Sequence, residues 1–220
     1  MRKIFLLSPA KVSGVRAGLL LNPRSTFALA RQFQREGLPL ADVFAFASGL
    51  YFRGKITYAR RFAREDPHEI IRIITTNAGL LTPEAHVTAD SLQAFGEVEI
   101  SADNPRYHEP LRRDGRKIAS QLDTSGVAVL LGSIATGKYR DVLLECFGTR
   151  LMFPADFVGR GDMSRGGLLL RAARDGIELP YAPVLGAVLN GKRAPRLAEM
   201  ARPTVPSEVR KQRFEVEVQV

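Results

Sequence analysis

Apolar residues in this chain fall in short blocks, separated by polar, glycine- or proline-marked breaks. Lys3–Leu7 is a compact apolar run closed by Ser8-Pro9 and reads as a first buried strand. Over residues 24–37, Phe27, Ala30 and Phe33 recur at helical spacing and Gly37 supplies a stop. Asp42–Ala47 is uniformly apolar after its first residue and is predicted as a strand, followed by the turn Ser48-Gly49. From about Arg53 to Arg64 a helix fits, with Ile56, Ala59 and Phe62 on one face and Lys55, Thr57 and Arg61 toward solvent. Ile70–Thr75 is β-branched and reads as a central strand broken by Thr76-Asn77-Ala78-Gly79. An edge strand is expected at 97–100, a helix at 109–122 and a strongly apolar strand at Val127–Leu131. A short helix at about 139–147, a strand at 150–153, a glycine-rich loop at 159–167 and a helix opening near Ser164 complete the pattern.

Strands alternating with helices predict an α/β fold: one domain with a mainly parallel central sheet flanked by helices. The core is expected over residues 1–179. Residues 180–220 hold Pro180, Pro183, Pro195, Pro203 and Pro206 and read as an irregular basic extension packing on it, with the alternating FEVEVQV at 214–220 a further edge-strand candidate. At 220 residues, 45% hydrophobic and 25% charged, the composition is that of a globular protein. The single Cys146 excludes a disulfide framework and a cysteine-based zinc cluster; lying among Leu143, Leu144 and Phe147, it reads as a small core residue. His68, His86 and His108 lack the His-x-x-x-His spacing of a zincin, and no metal or cofactor is expected. No apolar run approaches the roughly 20 residues that span a bilayer, and the apolar stretch of the opening MRKIFLLSPA, Ile4–Leu7, is too short for a signal peptide core. The expectation is a soluble cytoplasmic protein.

Charge sharpens the picture. Lys and Arg total 32 against 23 Asp and Glu, and residues 1–64 hold 12 basic but only 2 acidic side chains. A surface so lopsided attracts phosphates and nucleic acid. Compositional bias is the competing account, since 25 of the 32 cations are Arg, but it does not explain the scarcity of acids before position 65.

Four strand ends carry polar or glycine-rich punctuation: Ser8-Pro-Ala-Lys11, Ser48-Gly-Leu-Tyr51, Thr75-Thr-Asn-Ala-Gly79 and Gly132-Ser-Ile-Ala-Thr-Gly-Lys138. Each alone is ordinary turn chemistry; in a parallel sheet, ligands gather where strands end and helices begin, so the four together point to a site. The Gly132–Lys138 segment has Walker A spacing, but Tyr139 stands where that loop needs Ser or Thr for magnesium. An anion site built from backbone N–H groups, Ser133 and Lys138 remains open beside a plain glycine turn.

Gly159-Arg-Gly-Asp-Met-Ser-Arg-Gly-Gly167 offers Arg160 and Arg165 as planar forks for phosphate, and Ser164 as an N-cap. Asp162, between the two arginines, is the carboxylate best placed to activate water; pairing with those arginines to stiffen the loop is the competing role. In Tyr51-Phe-Arg53-Gly-Lys55-Ile-Thr-Tyr58, aromatics interleave with cations as in surfaces that stack on bases while neutralising phosphates.

Several of these motifs resemble YaaA-type proteins and a related family of small bacterial and phage domains. The resemblance rests on the Ser8–Lys11 element after the first strand, Leu50-Tyr-Phe-Arg-Gly-Lys-Ile-Thr-Tyr58-Ala, Ala78-Gly-Leu-Leu-Thr-Pro83-Glu, Val129-Leu-Leu-Gly and Lys138-Tyr-Arg-Asp, in that order over residues 3–171. It implies an α/β domain tied to nucleic acid: YaaA-like proteins are associated with peroxide stress and DNA binding, and a similar domain accompanies archaeosine synthase. It points at Ser8, Lys11, Tyr51, Arg53, Lys55, Tyr58, Gly79, Lys138 and Tyr139. The 159–167 loop and the basic tail have no counterpart in that pattern.

The resulting expectation is binding of DNA, RNA or a nucleotide-like ligand at the strand-end face, in a setting of stress response or DNA repair. Tyr51 and Tyr58 would stack, Arg53, Lys55, Lys138, Arg160 and Arg165 would hold phosphates, and Asn77 would read a base edge. The enzymatic alternative is an N-glycosidic or base-processing hydrolase on an extruded nucleotide, with Asp162 positioning water and Arg165 stabilising charge. A non-enzymatic protein–protein module is the third class.

Overall fold

The computed structural model describes residues 2–63, 67–101, 103–189 and 191–197. In chain order the strands are β1 (Lys3–Leu7), β2 (Leu38–Pro39), β3 (Ile71–Ile74), β4 (Leu80–Leu81), β5 (His86–Val87), β6 (Val127–Leu131), β7 (Leu151–Pro154) and β8 (Tyr181–Pro183). The helices are α1 (Val15–Leu21), α2 (Ala28–Glu36), α3 (Leu40–Ser48), α4 (Leu50–Phe62), α5 (Pro67–Ile70), α6 (Ala89–Gly96), α7 (Pro105–Gln121), α8 (Gly137–Phe147) and α9 (Asp162–Asp175). The expected α/β architecture is present. A six-stranded sheet runs β4-β3-β1-β6-β7-β8, parallel through β3-β1-β6-β7 and closed at each edge by one antiparallel strand. β2 and β5 form a separate two-stranded pair.

Central strands buried on both faces read as continuous apolar runs. Phe5, Leu6 and Leu7 of β1, Ile73 and Ile74 of β3 and Val129, Leu130 and Leu131 of β6 are fully buried, in register Phe5–Val129 and Leu7–Leu131 on one side and Leu7–Ile73 on the other. From β1 the chain passes first to β3 on one side and later to β6 on the other. The strand order therefore reverses between β1 and β6, the place where α/β sheets leave a crevice at their carboxyl ends.

Several elements differ from the sequence reading. Asp42–Ala47 lies in helix α3, not in a strand. A fully apolar run has no distinguishing period, and here three alanines (41, 45 and 47) favour helix. The helix start is satisfied by tertiary contact: the Leu40 and Ala41 amides donate to the carbonyls of Ala85 and Pro83 at 2.8 and 2.9 Å. Gly49, at φ +63°, reverses the chain directly into α4, which begins three residues earlier than expected.

Residues 97–100 join no strand. Val98 is buried and Glu97 and Glu99 are exposed, but the sheet edge on β3 is already taken by β4. α7 starts at Pro105 behind an Asn104 N-cap whose side chain accepts from the Arg106 amide, and tolerates Pro110 inside it. α9 opens at Asp162 on the Gly161 N-cap, so Ser164 is not the cap. Within the extension, Tyr181–Pro183 pairs with β7 as β8, and the described residues 184–189 and 191–197 join no helix or strand. FEVEVQV lies outside the described residues.

α4 and α9 cross at glycine. A Cβ on Gly54 would stand 2.7 Å from the Gly166 carbonyl oxygen, and one on Gly166 would stand 2.9 Å from the Tyr51 Cα. Two backbones in this proximity admit no side chain between them, and the crossing carries Asp162 and Arg165 up to Tyr51.

Candidate functional site

A cavity of about 690 Å³ lies at the carboxyl ends of the central strands. Its wall takes Ser8–Ser13 from the loop after β1, Thr76 from the end of β3, Ser133 from the end of β6, and Lys138 and Tyr139 from the first turn of α8. Tyr51 of α4, Asp162 of α9 and the segment Phe95–Ile100 complete it. The size suits a nucleotide-sized ligand; small-molecule pockets run from roughly 300 to 1,000 Å³.

Its floor is a buried polar cluster. Lys55 is 1% exposed, and its ammonium donates to the Ser8 carbonyl at 2.6 Å and to Ser8 Oγ at 2.9 Å. The same nitrogen stands 4.5 Å from the Tyr51 ring centroid and 4.9 Å from that of Phe52. Loss of water brings the Lys55 pKa down to about 7, against a smaller opposing pull from Asp162. Tyr139 Oη accepts the Ser133 amide at 3.0 Å; burial pushes this phenol up, with the neighbouring Ser8 hydroxyl a partial offset. Gly132 leaves room for the cluster, since a Cβ there would lie 2.8 Å from Ser8 Cβ and 3.1 Å from Tyr139 Oη.

Tyr51 is held edge-on to Phe157, and its hydroxyl is buried with no hydrogen-bond partner among the described residues. Burial raises its pKa, with the Arg165 charge a partial offset. Arg165, 11% exposed, donates to the Phe157 carbonyl and to Asp162 Oδ1, each at 3.3 Å. The Asp162 carboxylate is 68% exposed, so it meets water and the cavity as well as its arginine.

The sequence-predicted residues therefore divide. Ser8, Lys11, Tyr51, Ser133, Lys138, Tyr139 and Asp162 line one cavity, and Lys55 and Arg165 buttress it from behind. Lys55 faces inward, contrary to the solvent-facing expectation: with α4 starting at Leu50, positions 51, 55 and 58 share a face, four and three residues apart. Tyr58 is a core residue and offers no ring to a base. It accepts the Leu179 amide at 2.9 Å and shares a 2.7 Å hydrogen bond with Tyr181 Oη, and burial pushes its phenol up to about 12.

Asn77 spends its amide on the Ala94 carbonyl at 3.0 Å, and Thr76 donates to the Phe95 carbonyl at 2.6 Å; together they fasten α6 to the end of β3. Arg160 braces its own loop, donating to the Asp156 and Pro195 carbonyls and to Ser164 Oγ. Arg53 is exposed on α4 and lies outside the cavity lining. Gly79, at φ +70°, forms the turn into β4 whose Leu80 amide donates to Asp114 at 2.9 Å.

The Walker-like loop is not an open cradle. Tyr139 takes the Ser133 amide and Ser133 Oγ takes the Ala135 amide, leaving the first turn of α8, where Thr136 makes no side-chain cap, as the source of free N–H groups. The wall Phe95–Ile100 escaped the sequence reading because no motif marks it. Its only signal was the alternation of buried Val98 with Glu97 and Glu99, read as a strand.

Of the basic first third, Arg2, Lys3 and Arg60 pair with Glu69, Glu178 and Glu84, and Lys55 is buried. Arg16, Arg24, Arg31 and Arg35, on α1, α2 and their connection, are exposed and form no ion pair among the described residues. Among those residues no three His, Cys, Asp or Glu side chains cluster as metal ligands would, and no helix is long and apolar enough to cross a membrane. No protein-family model, curated protein or solved structure matches the chain.

Proposed function

We propose that the protein binds a nucleotide, free or as one unit of DNA or RNA, in the strand-end cavity. The observation that carries this reading is a nucleotide-sized cavity at the sheet's switch point whose wall joins the cations Lys11 and Lys138 to the aromatic and apolar side chains of Tyr51, Phe95, Val98 and Ile100. Phe95, Val98 and Ile100 give a base an apolar wall, while Lys11, Lys138 and the α8 N-terminus suit one phosphate. Glu97, Glu99 and Asp162 border the same cavity, a mixed lining that favours a single phosphate beside a neutral base over a run of phosphates. For a longer nucleic acid, the unpaired arginines of α1 and α2 supply the remaining neutralisation. The resemblance to YaaA-type proteins adds the setting, a cytoplasmic role linked to DNA damage or stress.

The test is calorimetry with AMP and ATP, together with anisotropy of labelled single-stranded DNA, duplex DNA and structured RNA across a salt titration. Saturable binding is expected, weakened about tenfold by Lys138→Ala and by Lys11→Ala, with a salt slope for the polymers steeper than for AMP. Absence of saturation by all five ligands at low salt overturns the reading.

A base-processing hydrolase is the second reading, favoured by Asp162 standing at the cavity with Arg165 attached. Abasic product from an oligonucleotide, abolished by Asp162→Asn, is its signature; full activity in that variant removes Asp162 from the chemistry.

A further inference from the structure

The Ser8 hydroxyl is hydrogen-bonded to the Lys55 amine at the floor of the cavity, with the Tyr139 phenol beside them, and nucleotide binding alone does not account for this group. We propose that Ser8 is a nucleophile with Lys55 as its general base, and that the cavity cleaves a carboxylic ester or thioester through an acyl-enzyme on Ser8. That the substrate also carries a phosphate, held by Lys11 and Lys138, rests on the nucleotide reading; the Ser8 chemistry does not.

The geometry supports each role. Ser8, 4% exposed, lines the cavity, whereas Lys55, 1% exposed, does not, so a cavity ligand meets Ser8 before the amine behind it. The Ser8 carbonyl takes one Lys55 N–H at 2.6 Å, and in the neutral amine this leaves the lone pair free for the hydroxyl at 2.9 Å. No carboxylate lies within ion-pair distance of Lys55 among the described residues, so nothing holds it permanently protonated. The ionisable groups around it are Tyr51 on its own helix, Tyr139 on α8, and Asp162 and Arg165 on α9. Burial is the dominant influence, and it makes the amine a base near neutrality. Tyr139 accepts the Ser133 N–H, so its own proton is free to point at Ser8 Oγ or at a leaving group.

In the first step Ser8 Oγ bonds to the carbonyl carbon as its proton passes to Lys55 Nζ. The Tyr139 phenol, beside Ser8, donates a hydrogen bond to the developing oxyanion. Collapse breaks the bond to the leaving oxygen or sulfur, which takes the proton from the Lys55 ammonium. Water then attacks the acyl carbon, gives a proton to Lys55, and Ser8 departs with it. The sum is ester plus water to acid plus alcohol or thiol, with the protein restored.

The test uses a fluorophosphonate probe on the intact chain, with the adduct located by mass spectrometry. Labelling at Ser8 is expected, with a rate that rises through about pH 7, where Lys55 loses its proton. Ser8→Ala should abolish it, Lys55→Met should slow it at least 100-fold while circular dichroism stays native, and Tyr139→Phe should slow it several-fold. No adduct on Ser8 between pH 6 and 9 in the folded protein overturns the proposal, as does wild-type labelling in Lys55→Met, which would leave Lys55 a structural tie between α4 and β1. Protection of Ser8 by millimolar AMP supports both parts. Labelling without protection supports the Ser8 chemistry and overturns the nucleotide portion of the substrate.

Discussion

Lys55→Met tests the electrostatics of the site without any knowledge of its ligand. The ammonium is fully buried, and its pKa falls from 10.5 to about 7 on folding. Each tenfold loss of proton affinity corresponds to about 1.4 kcal/mol, so the folded state bears a penalty on the order of 4–5 kcal/mol while the lysine is charged in both states. The sign follows from linkage. Below pH 7 folded and unfolded chains both hold the proton and the penalty is whole; between pH 7 and 10.5 the unfolded chain binds a proton that the fold rejects, so stability rises with pH. Methionine carries no such penalty, but it forfeits the two hydrogen bonds to Ser8, at a cost of roughly 1–3 kcal/mol. Urea unfolding of both proteins at pH 6, 7, 8 and 9 should show the variant more stable at pH 6 by about 1–3 kcal/mol. That advantage should shrink by about 2 kcal/mol between pH 7 and 9. Other titrating groups are common to both proteins and cancel in the difference. A difference that stays constant from pH 6 to 9 refutes the depressed pKa, and with it the capacity of Lys55 to act as a base.

Three further substitutions probe the frame. Gly166→Ala places a methyl against the Tyr51 Cα and Leu50 carbonyl, and a cost of roughly 1–3 kcal/mol for overpacking should outweigh the gain of about 1 kcal/mol in helix propensity. Gly167→Ala meets only the tip of Leu197 and should be neutral or stabilising; a Gly166→Ala protein as stable as that control in thermal unfolding would show that the α4–α9 crossing is not tight. Tyr58→Phe strands the Leu179 amide and breaks the bond to Tyr181, and should lose roughly 1–3 kcal/mol in urea unfolding. Because Tyr58 lies off the cavity, AMP binding should be unchanged, and a tenfold loss would place it in the site after all.

Local pattern was enough to determine the sheet's centre. β1 and β6 are uniformly apolar because they are buried on both faces, so Lys3–Leu7 and Val127–Leu131 were legible directly, and with them the α/β class; a cavity does lie at the strand ends. Ser8, Tyr51, Lys138 and Asp162 could be named because strand ends and helix starts carry polar punctuation. Where tertiary contact overrode local signal, the sequence misled. The α3 segment is helical partly because the Pro83 and Ala85 carbonyls cap it, and those lie some forty residues away. Lys55 turns inward because α4 begins at Leu50, directly after Gly49, and packs on α9 through Gly54 and Gly166, a contact no local period reveals. Gly166, within the segment 159–167 read as a glycine-rich loop, lies in α9 and serves helix–helix approach. Composition showed the excess of cations but not their fate, which depends on whether an acid from elsewhere in the chain arrives beside each one, as Glu178 does for Lys3 and none among the described residues does for Lys55. A buried amine resting on a serine hydroxyl is a property of packing: the chain supplies the two residues 47 positions apart, and only the fold withdraws the water that would keep the lysine an ordinary cation.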